Sequence, residues 1–396
     1  MKHVINLDGL MTAPLEEEAF AAMLPFFREH AASPSAGHSG GIFVREAIER
    51  ARREIAVFIG ARDFTCMHFT SSATESANLA ITGVARRTLG CSQKRHLIVG
   101  AIEHPSVLEA ARALQAEGVE VTELATDSIG RYDVSELKRA LRKDTFLVAL
   151  AHSNHDLGTL QNIRELAQAT HETSALFYCD AATSAGWSPL DVARLGVDLM
   201  SFSFHRMGGP IGIGALYLSS GVELDPLLRG GMQENGLRAG TLNTPAIVGA
   251  AKACELRLKK WDAIIEKTCR LQKMLHDLLD QKIEHIHLNG APLDSTETQR
   301  LPHHLSLSFE GIEAEALMLR LDLQDVQLHA GAGCVARALK VPYTLRAIGL
   351  SDARALSTLL IGLGPHLTEE LIEIAAEKIA TSVQKLRMLS PQPRFA

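Results

Sequence analysis

Along the first half of this 396-residue chain, short polar clusters follow apolar runs, and their side chains are of the types that hold anions and move protons. After "MHFT" come Ser71, Ser72 and Thr74, hydroxyls that open a helical pattern. Free backbone N–H groups and the helix dipole favour an anion such as phosphate there; a plain helix cap is the competing reading. After "LIVGAI" come Glu103 and His104, after "LVALAHS" come Asn154, His155 and Asp156, after "LFYC" comes Asp180, and after "SFSF" come His205 and Arg206. Ligands of α/β sheets bind at the carboxyl ends of the strands, so these clusters are expected to converge on one concave polar site. A cation such as Arg206 at the end of a core strand is costly unless it meets an anion or takes part in chemistry. His104, His155, Asp156 and His205 include metal-ligand types, but no HxxxH-type spacing joins them and no metal is expected. His285, His287, His303 and His304 lie in polar surroundings and read as solvated.

These residues need a sheet to position them. The runs "MHFTS", "RHLIVGAI", "VEVTELA", "TFLVALAHS", "ALFYCDA", "LMSFSF" and "GIGALYL" alternate with segments of three-to-four apolar spacing, which predicts a parallel sheet covered on both faces. After residue 244 the texture changes to one long amphipathic helix over Thr244 to Gln281. Strands "HHLSLSFEG", "VQLHAG" and "STLLIGLG" follow, with a last helix over Thr368 to Leu386 and a frayed tail "SPQPRFA". The expected organisation is α/β: residues 1–15 packing with a small domain, 16–250 a large cofactor-type domain, and 251–396 a bridging helix and a small α+β domain.

Composition excludes several function classes. Apolar residues make up 46% and charged residues 22%, the balance of an ordinary folded protein. A net charge of -6 with interspersed signs offers no basic stripe for nucleic acid or an anionic membrane. No apolar run reaches the roughly 18 residues of a membrane span, no signal-peptide pattern is seen, and a cytoplasmic setting is expected. Six cysteines without CxxC pairing read as free thiols, with Cys66 and Cys179 in core strand contexts.

The motifs "SSATESANLAI", "EHPSVL", "CDAATSAG", "SFSFHRMGGPIGIGALY", "GGMQENGLRAGTLNT" and "GAGC", with "LDGLMTAP" and "SPSAGHSGG" before them, resemble the cysteine desulfurases in order and interval. These belong to the class V aminotransferases, fold type I of the pyridoxal-phosphate enzymes, and the resemblance covers essentially the whole chain. It implies that Thr74 and Ser203 hold the cofactor phosphate, with Thr241 reaching it from the neighbouring subunit of a homodimer. His104 is implied to stack on the pyridine ring, and Asp180 to pair with the ring nitrogen, which makes the ring an electron sink. Cys334 stands where the family keeps the nucleophile that takes sulfur as a persulfide. His104, His205 and Cys334 are thus the catalytic candidates, and Thr74, His104, Asp180, Thr183, Ser203, His205, Arg206 and Thr241 the cofactor-binding ones.

The departures from the family gather in one place. His205-Arg206 stands where the family has His-Lys, and that lysine makes the Schiff base with the cofactor. A guanidinium, with a pKa above about 12, is no amine nucleophile at neutral pH. No lysine occurs between Lys143 and Lys252. The family's substrate-carboxylate arginine falls on Leu360, its glutamine on Thr183, its "NNE" on Asn154-His155-Asp156, and the serine-rich lead to the nucleophile has become "HAGAGC" with His329. The expectation is a desulfurase-like homodimer that has lost classical cysteine desulfuration and serves in sulfur relay, or as partner or scaffold in sulfur transfer or iron-sulfur assembly. The alternative is an active desulfurase, or a related lyase or transferase. Pyridoxal phosphate would be held noncovalently or not at all, with Arg206 holding it or another anion by charge. Cys334 is either a persulfide carrier or an inert thiol.

Overall fold

The computed structural model describes residues 4–293, 299–331 and 341–389. Cys334 and the tail "SPQPRFA" lie outside the described residues.

Seven strands form the larger sheet: β1 (Met67–Thr70), β2 (His96–Gly100), β3 (Glu120–Leu124), β4 (Thr145–Ala151), β5 (Leu176–Asp180), β6 (Leu199–Ser203) and β7 (Gly214–Leu218). Their spatial order is β1-β7-β6-β5-β4-β2-β3. The pairs from β6 to β3 are parallel, while β7 runs antiparallel to both of its neighbours, so the sheet is mainly parallel, as expected of the fold class. β7 reverses because the short turn through Gly208 and Gly209 has no room for the crossover helix that a parallel return requires. β2, β4, β5 and β6 are buried almost throughout, as a sheet covered on both faces demands. One face packs on helix Ser39–Phe58 and on Ala246, Ile247 and Ala250 of helix Thr244–Lys259; the other packs on helices Ala73–Cys91 and Pro105–Ala116.

The long helix expected over Thr244 to Gln281 is two helices, Thr244–Lys259 and Trp261–Lys282. Lys260 leaves the helical region (φ -106, ψ 11) without a glycine or proline to announce it. Beyond that break the chain changes partners. Leu271, Leu275 and Leu279 join a second core with Ile372, Ala376 and Ile379 of the last helix, Glu369–Leu389.

That core also covers a four-stranded antiparallel sheet of β8 (Ile286–Leu288), β9 (His304–Phe309), β10 (His329–Ala330) and β11 (Thr358–Gly362), in the order β10-β11-β9-β8. The chain's beginning joins it: Ile5–Asn6 pair with Val326–Gln327, and Asp8 bridges Gly362. From there residues 8–16 cross to the larger sheet, where the Ala13 and Glu16 amides donate to the carbonyls of His205 and Gly208. Both cores therefore meet at the end of β6.

Candidate ligand-binding site

The carboxyl ends of β2, β4, β5 and β6 open on one cavity of about 170 Å³ lined by Ser72, Ala73, Thr74, His104, Ser106, Ala151, Ser153, His155, Asp180, Ala182, Thr183, Ser203, His205 and Arg206. A wider cleft of about 420 Å³ runs past Asp63, Cys66 and Arg87 at the opposite end of β1 and β7, away from the strand ends that collect ligands in this architecture.

On one side lies the start of helix Ala73–Cys91. Ser72 caps it by accepting from the Glu75 amide at 3.1 Å, and the Glu75 carboxylate accepts from the Ser71 amide at 2.7 Å, leaving the first-turn amides of Ala73 and Thr74 without intrahelical partners. Hydroxyls of Thr74 and Ser203 share this end of the cavity. A Cβ on Gly214 would come within 2.4 Å of the Ser72 carbonyl carbon, so only glycine lets β7 pass beneath the turn.

Asp180 closes the floor. It is 6% exposed, accepts from the Ala182 amide at 2.9 Å, and has its pKa raised by burial against the opposing pull of His104, that amide and Arg206. His104 caps helix Pro105–Ala116, with its Nδ1 2.8 Å from Ser106 Oγ and Pro105 in the first helical position. Its ring meets His155 edge-on at 5.3 Å. Burial holds His104 and His205 down at about 4 and His155 at about 3, with the Arg206 charge pushing all three the same way. The three imidazoles are neutral at physiological pH, and Arg206 is the one permanent cation among the described lining residues.

Arg206 donates from Nη1 to Thr183 Oγ1 at 3.0 Å, and its charge is felt by Asp180 and by Asp8. It sits in a single turn, His205–Met207, closed by Gly208 at φ 87. Among the described residues, no lysine lines the cavity. Leu360 is 1% exposed in the middle of β11, paired with Ser306 and His329, and does not reach the cavity wall. Asp156 is buried beneath the cavity beside His155, takes a hydrogen bond from Thr344, and is pushed by burial up to about 6. Glu103, 1% exposed behind His104, accepts from Tyr132 at 2.8 Å and is pushed by burial to about 8.

Most residues expected at the site thus come together. Thr241 is exposed and lines no part of this chain's cavity. Two readings need correction. His303 and His304 are fully buried, not solvated, because the segment before β9 is wedged between the two cores. Cys66 is half-buried in a short turn ahead of β1 at the edge of the wider cleft, whereas Cys179 is buried within β5. Ser106 and Ser153 line the cavity but were not singled out. Ser106 was legible as the hydroxyl two residues past a histidine that opens a helix; Ser153 had no such signal. Nor did Arg52 and Glu234, a buried pair at 2.8 Å that ties the residue 233–236 turn to β1, where Glu234 also takes the Phe69 amide.

A family model described as Aminotransferase class-V matches residues 5–370. The chain is 38% identical over 392 residues to a cysteine desulfurase IscS of Dictyoglomus turgidum, covering 99% of this chain and 97% of that protein. It is 38% identical over 390 residues to a cysteine desulfurase of Mus musculus, covering 98% of this chain and 83% of that one. Among solved structures, a NifS-like protein superposes with a TM-score of 0.90 at 30% identity, over 97% of this chain and 100% of that chain. A structure titled "SspA in complex with cysteine" gives a TM-score of 0.77 at 31% identity, over 92% and 100%. The fold is therefore the fold-type I aminotransferase fold.

Proposed function

The chain belongs to the aminotransferase class-V family and to its cysteine desulfurase group, and from that membership we propose that it binds pyridoxal phosphate noncovalently and no longer carries out classical cysteine desulfuration. The observation that carries this is Arg206. Its guanidinium occupies the cavity where covalent attachment needs an amine, and it is anchored to Thr183.

The fit to the cofactor is good except at that point. Free first-turn amides and the hydroxyls of Thr74 and Ser203 suit a phosphate. A buried carboxylate, Asp180, suits a protonated ring nitrogen, and the His104 ring lies beside it. When bound, pyridoxal phosphate supplies an electron sink for bonds broken next to an amine. The chain's own residues would orient it: Asp180 fixes the ring by charge, the Ser106 hydroxyl holds the His104 ring by its Nδ1, and Arg206 supplies a cation that cannot release a proton at neutral pH. With Leu360 buried in β11, no guanidinium there clamps a substrate carboxylate.

The physiological role under this reading is sulfur relay through Cys334, or service as partner or scaffold in sulfur transfer or iron-sulfur assembly. It would act as a cytoplasmic homodimer in which Thr241 completes the neighbour's phosphate site. The exposure of Thr241, away from its own chain's cavity, supports that arrangement. A second reading, an active enzyme with a noncovalent cofactor, is favoured by Asp180: a buried carboxylate is costly to keep unless a cation meets it.

Purified protein mixed with pyridoxal phosphate separates the two. The expected result is cofactor that co-elutes but leaves no borohydride-stable mass on the chain, with no sulfide released from cysteine. Arg206→Lys should gain the stable mass at residue 206. Sulfide release by the unmodified protein above the level of free cofactor would establish the second reading and end the first.

A further inference from the structure

His303 and His304 lie at the start of β9 in the smaller sheet, yet His303 ends against the Trp187 ring and His304 against the main chain of the 155–158 segment. The His303 ring stacks on Trp187 with centroids 4.0 Å apart and planes 12° from parallel. Neither of its nitrogens has a hydrogen-bond partner in the structure, so what the side chain contributes there is the stack itself. Burial, reinforced by His304 and by the charges of Arg257 and Arg206, holds its pKa well below 6.5 and keeps the ring neutral. Arg257 also packs on Trp187, at 4.5 Å. Held in this way, Trp187 donates from Nε1 to the Arg206 carbonyl at 3.2 Å, while Arg257 donates to the next carbonyl, that of Met207, at 3.2 Å.

His304 does the equivalent on the other wall. Its Nε2 lies 2.8 Å from the His155 carbonyl; a carbonyl only accepts, so Nε2 carries the proton. The ring lies flush against Gly158, where a Cβ would sit 2.7 Å from His304 Cγ and where φ is +70. The Leu301 amide donates to the Gly158 carbonyl at 2.9 Å, so the segment follows the 155–160 loop over its length.

We propose that His303 and His304 are positioning residues. Through Trp187 the first fixes the main chain that carries Arg206, and the second directly fixes the main chain that carries His155. Arg206 and His155, two of the cavity side chains that depart from the lysine-bearing pattern, are thereby set from the second core, whose sheet also carries His329 on β10. The inference rests on the proposed reading of the cavity as a ligand site, because a positioned Arg206 matters only if it meets an anion.

Hydrogen exchange followed by mass spectrometry on the full chain tests the brace without any ligand. The amides of Met207 and Gly209, bonded to the Phe204 carbonyl, report one wall, and those of Asn154 and Gly158 report the other. His303→Leu should speed exchange about tenfold at the first pair and leave the second unchanged; His304→Ala should do the reverse. His303→Phe, which keeps the stack, and His304→Gln, which keeps a donor, should behave like the parent. Should His303→Leu not fold, Trp187→Phe removes the indole donor while keeping a ring, and should loosen the same pair. Exchange that rises everywhere alike, or at neither pair, overturns the proposal. With pyridoxal phosphate as probe, both disruptive variants should bind about five- to twentyfold more weakly and the conservative ones as the parent does. Unchanged affinity alongside locally faster exchange also overturns the positioning role. If the parent binds no pyridoxal phosphate, the proposed function fails, while the exchange pattern still decides whether the brace exists.

Discussion

Lowering the pH should destabilise this protein, because its buried imidazoles must charge. Burial holds His68, His104, His152 and His205 at about 4, and His155 and His304 at about 3. Each folded value lies below the ordinary imidazole value of 6.5, so the stabilising contribution is present above pH 6.5 and is lost as the pH falls toward 4. At pH 5 a group shifted this far costs about 2 kcal/mol relative to pH 7.5. His68, His152 and His304 are almost wholly buried and count in full; the three that line the cavity reach water and count for about half. The imidazole total, on the order of 9 kcal/mol, is offset in part by Asp156 and Glu103, which burial raises to about 6 and about 8 and which together gain about 4–5 kcal/mol over the same fall. The net loss of about 4–5 kcal/mol compares with the lower end of the roughly 5–15 kcal/mol stability of an average domain. The protein should therefore lose a large part of its stability by pH 5, with the midpoint of acid unfolding below that pH. Urea unfolding followed by circular dichroism at pH 7.5, 6.5, 5.5 and 5.0 measures the loss, and its slope against pH gives the protons taken up. His152→Asn, away from the cavity lining and bonded to Ser184, should remove about one proton from that slope. A stability at pH 5 within about 2 kcal/mol of that at pH 7.5 would refute the reasoning, since the imidazoles would then charge in place. Arg206 would then no longer be the one fixed cation among the described residues that line the cavity.

Two further outcomes test the frame around the site. Glu103 has its pKa raised by burial to about 8 from 4.5, so its contribution is full below pH 4.5 and is lost as the pH rises through 8. Thermal melts between pH 6 and pH 8.5 should show a loss of about 2–3 kcal/mol that Glu103→Gln abolishes, and an unchanged alkaline limb in the variant would be the failing result. Glu234→Gln breaks a buried ion pair with Arg52 and should cost about 3–5 kcal/mol in calorimetry, with local proteolysis near residues 233–241 rising alongside. A cost under about 1 kcal/mol would place that pair among contacts of no consequence.

The order of apolar runs in the sequence was enough to place all seven strands of the larger sheet, because each strand end is marked by a switch from aliphatic to polar residues. The convergence of His104, Asp180, His205 and Arg206 followed from the rule that parallel strands present their carboxyl ends together. Direction was harder. β7 is apolar like its neighbours, and only the shortness of the Gly208–Gly209 turn reveals that it must run backwards. The break at Lys260 has no local signature; it exists because the helix exchanges one core for another. His303 and His304 were misread for the same kind of reason. Two adjacent imidazoles look hydrophilic, and the aromatic plane and carbonyl that receive them, Trp187 and His155, are more than a hundred residues away. Polar residues buried by long-range pairing are what a local reading cannot see.

The charge at Arg206 has a second consequence beyond the missing amine. Burial raises the pKa of the Asp180 carboxyl, and His104, the Ala182 amide and Arg206 pull against that rise. A ring nitrogen placed against Asp180 would hold its proton less firmly with a permanent cation nearby than with a lysine consumed in a covalent bond. Phosphate binding is affected in the opposite sense, because neutral imidazoles at about 3 to 4 leave Arg206 as the fixed positive charge among the described lining residues, acting beside the first-turn amides on any anion in the cavity. One substitution therefore weakens the basis for the electron sink and strengthens retention of an anion. Both effects bear on the proposed reading, which is why the Arg206→Lys comparison discriminates more sharply than a substitution at Asp180 or His104.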